Sequence, residues 1–127
     1  MPRLPVLVFA SASLAAATCH ASPMGEACLG KAQPIVDQFI AGNFQAINQQ
    51  MDVAMRMVFP AETLKASWDT MNEEFGAYVS HDAPAVFQDD GKDAFIRVPL
   101  HFAHHDTRMQ IVCSSNSDGQ IASLAFL

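Results

Sequence analysis

Apolar positions recur at helical spacing in the first part of the chain and, after Gly76, at every second residue. From Met24 to Ala41, the residues Cys28, Ala32, Ile35, Val36, Phe39 and Ile40 mark one apolar face. That pattern predicts a helix, kinked or restarted at Pro34 and stopped at Gly42-Asn43. Phe44, Ile47 and Met51 predict a second, short helix whose boundary with MDVAMRMVF is unmarked. FPAETLKASWDTMNEEFG is the clearest element. Pro60 suits a first helical turn, Glu62 suits the positive end of the helix dipole, and Gly76 ends the helix. Leu64, Trp68, Met71 and Phe75 line one side of it.

The period-two half begins with AYVSHDAPAVFQ, extended and broken by Pro84. DDGK is a turn. In DAFIRVPLHFAH, Ala94, Ile96, Val98, Leu100 and Phe102 face one way. Phe95, Arg97, Pro99 and His101 face the other. HHDT turns the chain, and RMQIVCS is a strand with Met109, Ile111 and Cys113 on one side. SNSDG turns it again before a last strand, QIASLAFL. About three helices followed by an antiparallel meander of about four strands is an α+β arrangement. The sheet curves one apolar face around the helices and leaves Phe95, Pro99 and Phe126 outward.

The first residues of the chain differ from the rest. MPR followed by LPVLVFASASLAAA reads as a signal peptide, with Cys19-His20-Ala21 as a small-x-small cleavage site before Ser22. The apolar run is too short for a membrane span, which needs about 20 residues. Residues 1–21 are therefore expected to be removed after export to the periplasm or beyond, leaving a single domain over residues 22–127. A lipoprotein acylated at Cys19 competes with this reading, but Thr18 stands where Gly, Ala or Ser is wanted. No further membrane insertion is expected once the signal is gone.

Composition then excludes partners. The net charge of −6 becomes −7 without Arg3, a surface that repels phosphate backbones, so nucleic acid is not expected. Of three cysteines, Cys28 and Cys113 remain after processing, and an even pair in an exported chain predicts a disulfide. Closing so long a loop contributes up to about 4.5 kcal/mol in the chain-entropy view.

Candidate chemistry is sparse. HFAHHD holds His101, His104, His105 and Asp106. On a strand, His101 and His105 lie about 13 Å apart, too far for one ion, so no metal is expected. Ser80-His81-Asp82 has the letters of a hydrolase triad, but neighbouring strand residues face opposite ways and no G-x-S-x-G elbow exists. Asp89, Asp90 and Asp93 around Gly91 and Lys92 read as a turn, not an EF-hand. A pocket between helices and sheet would be lined by Trp68, Met71, Phe75, Val98, Leu100 and Phe102, with Tyr78 at its mouth. Apart from Tyr78 these lack an ionisable group, so no catalytic residue is assigned and no cofactor is implied.

QFIAGNF, MDVAMRMVFPAETLKASW, FGAY, RVPLHF and DGQIASLAF, in this order, resemble the bacterial family of domain of unknown function 3887. The order of elements is similar to the nuclear-transport-factor-2-like, cystatin-like α+β roll superfamily. That resemblance covers most of residues 27–127 and implies a small domain without an agreed catalytic motif. The resulting expectation is a non-catalytic interaction module, with an immunity-type or accessory role as one version. Its partner would be a protein or a second copy at the sheet face, or a small apolar ligand in the cone. The competing expectation is a small roll-fold isomerase, dehydratase or hydrolase.

Overall fold

In a computed structural model, residues 21–127 are described. The expected signal segment, with its Cys19 alternative, therefore lies outside the described residues except for Ala21. Four helices lead: α1 (Pro23–Ala41), α2 (Phe44–Gln49), α3 (Val53–Val58) and α4 (Ala61–Glu74). Five strands follow: β1 (Tyr78–His81), β2 (Ala85–Asp89), β3 (Asp93–Phe102), β4 (Asp106–Ser114) and β5 (Ile121–Phe126). The α+β roll stands, with one more helix and one more strand than the pattern predicts.

Both additions have local causes. Asp52 starts α3 by accepting the Met55 N–H at 2.8 Å, and Phe59, held out of helical geometry before Pro60, ends it. Pro60 is the residue before α4 rather than part of its first turn. Pro84, which has no N–H to donate, separates β1 from β2, and both pair antiparallel with the same edge of β3. The sheet then runs β3–β4–β5, all antiparallel. α1 continues through Pro34 without a break.

The alternation in β3 is strict: Ala94, Ile96, Val98, Leu100 and Phe102 are buried and the residues between them half-buried. Their concave face meets Cys28, Ala32, Ile35, Val36 and Phe39 of α1 and Leu64, Trp68 and Met71 of α4 in one core. The Cys28–Cys113 disulfide crosses that core with Cα atoms 5.9 Å apart, tying α1 to β4. Phe126 departs from its outward expectation. It pairs with the inward-facing Met109 and packs its ring 5.4 Å from Phe39. Among the described residues, no helix is long and apolar enough to cross a membrane.

Candidate functional site

The residues expected to line a pocket do assemble between α4 and the concave sheet. The Trp68 ring lies 5.8 Å from Phe102, 5.6 Å from Tyr78 and 5.2 Å from Phe39. Phe75 sits 5.9 Å from Phe102. Met71, Val98 and Leu100 are buried in the same cluster, while Phe75 and Tyr78 form its half-buried rim. These ring separations are those of packed aromatic pairs.

Polar groups meet this rim at Tyr78. Its hydroxyl lies 2.6 Å from His81 Nδ1, His81 Nε2 lies 3.0 Å from Gln33 Oε1, and Gln33 Nε2 donates to Asp37 at 3.0 Å. With His81 neutral the direction is fixed, because Asp37 can only accept. Gln33 then accepts from the Nε2–H, and Tyr78 donates to Nδ1. Burial, and then the Asp37 charge, push the Tyr78 hydroxyl above its ordinary pKa, away from phenolate chemistry. Ser80 and Asp82 take no part in this chain. Asp82 instead bonds His101, so Ser80, His81 and Asp82 form no relay.

His101 of HFAHHD stands on the outer sheet face between two carboxylates. Nδ1 is 3.0 Å from Asp106 and Nε2 is 3.0 Å from Asp82. A carboxylate offers no proton, so both contacts are satisfied together only by the imidazolium. Asp106 first and Asp82 second hold the His101 pKa above its ordinary value. The two ring nitrogens point to opposite sides, so the carboxylates do not converge on one centre. Among the described residues, no three His, Cys, Asp or Glu side chains are placed to hold a metal. His105 leans away, its ring 4.5 Å from Phe75. Asp89 and Asp90 accept turn N–H groups from Gly91, Lys92 and Asp93, as the turn reading expects.

The feature that sequence reasoning missed is α3. None of its six residues is buried, and Val53, Met57 and Val58 are 71%, 81% and 62% exposed. Beside it opens a cleft of about 270 Å³, bordered by Asp52, Val53, Ala54, Ser117, Asp118 and Gln120. Asp52 ties the two sides of this cleft, capping α3 and accepting the Ser117 hydroxyl at 2.7 Å. Those bonds hold its carboxyl below the ordinary range. The outer sheet face is open too: Phe87 is 57% exposed, and a cleft of about 300 Å³ is bordered by Pro99, Asp106, Arg108 and Leu127. The Arg97 guanidinium lies 3.4 Å over the Phe87 ring, and Phe95 and Pro99 are half-buried. VAMRMV gives no helical stripe that would have marked α3 as a surface helix, and its apolar composition resembles core.

A family model described as "Protein of unknown function (DUF3887)" matches residues 32–124. No curated protein and no solved structure matches the chain.

Proposed function

This chain belongs to that family of proteins of unknown function, and from that premise we propose that it is an exported, non-catalytic interaction domain. It leaves the cytoplasm on the signal at residues 1–21, is cut after Ala21, and works in the periplasm or beyond. Its partner is a protein that covers α3. The observation carrying this reading is the row of large apolar side chains on α3, which serve no core and remain in water. A cluster of that kind is the usual mark of a contact surface.

The concave face also supports a non-catalytic role. An enzyme of this shape needs a titratable group beside its substrate. Here Asp82 and His101 lie on the outer face, and the titratable pair at the rim, Tyr78 and His81, is engaged with itself and with Gln33. The Cys28–Cys113 disulfide fits an oxidising compartment. An immunity-type protein that occupies a partner's surface is one version of the role.

The test is native mass spectrometry of protein taken from its own compartment, wild type against the triple variant Val53→Asp, Met57→Asp, Val58→Asp. Because these side chains are exposed, the variant should melt within a few degrees of wild type. Wild type should carry a protein partner that the variant loses. A partner retained by the variant would move the interface elsewhere, the sheet face being next. A small apolar adduct or turnover of a small molecule would favour the cone as the working site.

A further inference from the structure

Ser22, the first residue after the expected cleavage, is gripped by a residue far along the chain. Its backbone nitrogen lies 2.6 Å from Asp89 Oδ2, at the end of β2. Its hydroxyl donates to Asp89 Oδ1 at 2.8 Å and accepts the Gly25 N–H at 3.0 Å, which caps α1. Asp89 Oδ1 also takes the Gly91 N–H at 3.0 Å. The approach is close enough to need glycine opposite. A Cβ at Gly25 would stand 2.0 Å from Asp89 Oδ2. This carboxylate, reaching across 67 residues, therefore holds the residue that begins the expected mature chain.

We propose that Asp89 is the receptor for the α-ammonium group created at Ser22 when the export signal is removed, so that processing completes the fold. The proposal rests on the reading of cleavage after Ala21. Hydrolysis adds one water across the Ala21–Ser22 amide. The oxygen goes to the Ala21 carbonyl carbon, and the C–N electrons go to nitrogen. Both water protons end on the Ser22 amine, leaving a carboxylate on Ala21 and an ammonium on Ser22.

Before cleavage, the nitrogen facing Asp89 is a neutral amide. Afterwards it is a cation at the same place, so a hydrogen bond already assisted by the Asp89 charge becomes an ion pair as well. The new charge also sits at the positive end of the α1 dipole, where a cation is unfavourable by itself. Asp89 offsets that cost. Three N–H and O–H donors already hold its carboxyl below the ordinary range, ready as an anion. Glu26 in the first turn of α1 adds negative charge, and the β2–β3 turn carries Asp90 and Lys92.

The test begins with the intact mass of the exported protein, then titrates its α-amino group by NMR. It compares wild type, Asp89→Asn, and each of these acetylated on the Ser22 nitrogen. The expected mass begins at Ser22. The α-amino group should titrate above its ordinary value of about 7.7–8.0 in wild type and fall to that value or below it in Asp89→Asn. Acetylation should lower the melting temperature of wild type by roughly 2–4 °C and leave that of Asp89→Asn unchanged or slightly raised, because it removes a cation from the α1 N-terminus. A chain that starts at Ser22 with an ordinary α-amino titration and no cost of acetylation overturns the receptor while sparing the cleavage reading. A mature chain starting at any other residue overturns the cleavage site and the receptor with it.

Discussion

Helix α1 buries Cys28, Ala32, Ile35, Val36 and Phe39 to 1% exposure or less, whereas α3 buries none of its six residues. α1 is fixed by that burial, by the disulfide, and by the Lys31 ammonium on the Gly119 carbonyl at 2.6 Å. Its far end closes with Gly42 in the left-handed region at φ 73°, where Asn43 N–H reaches Gln38 O at 2.8 Å. α3 is suspended by hydrogen bonds. Asp52 caps its start, and Asn48 Nδ2 donates to Arg56 O at 3.1 Å and Phe59 O at 2.8 Å near its end. The Arg56 guanidinium folds back onto the Met51 and Gln49 carbonyls, both at 2.9 Å. Satisfying the backbone of a short helix through its ends leaves Val53, Met57 and Val58 in water, with only Met55 packed against the core. One helix is held for the core, the other is displayed.

That contrast makes the disulfide the largest lever. Replacing Cys28 and Cys113 by Ala should cost about 2–5 kcal/mol and lower the melting temperature by about 10 °C or more. Hydrogen exchange should show the loss of protection in α1 and β4 while α3 changes little. Equal loss in both helices would mean that α3 is secured through α1.

Asn48 tests the other side. It is 8% exposed and supplies both amide hydrogens to the end of α3. Asn48→Ala leaves the Arg56 and Phe59 carbonyls without that donor, at about 1–3 kcal/mol. Exchange in α3 should accelerate while α1 keeps its protection. Unchanged exchange in α3 would show that Asp52 alone is sufficient to hold it.

Legibility followed the same division. The β3 alternation, the Leu64–Trp68–Met71 face and the Cys28–Cys113 pair were readable because burial leaves a periodic or compositional trace. α3 left none, since its exposure depends on α1 and α4 already covering the sheet. The Ser22–Asp89 and Tyr78–His81–Gln33 contacts join residues 67 and 48 positions apart, and no local rule places such partners together. The separation of β1 from β2 was signalled by Pro84, but their shared pairing with β3 was not. His101 was correctly placed outward by alternation, and its two carboxylates came from a neighbouring loop and strand that the pattern could not bring together.

The His101 ring is only half-buried and its partners are exposed carboxylates, so it should contribute least. Its folded pKa is raised by Asp106 and then Asp82, so its contribution is fully present below the unfolded value of about 6.5. That contribution is lost as pH rises through the folded value. Arg108, on β4, is the cation that pairs across from Pro99 on this face. Subtracting the melting temperature of His101→Gln from that of wild type should give a small positive difference at pH 5 that disappears by pH 9. Asp106→Asn should lower the His101 titration more than Asp82→Asn, read by NMR. High salt should erase most of the difference, because exposed ion pairs are screened. The Asp82 N–H to Pro99 O bond, at 3.0 Å, keeps the loop on the sheet after the imidazole discharges, so the fold should survive the loss. A difference that grows with pH, or one unaffected by salt, would mean that the outer face depends on His101 for packing rather than charge.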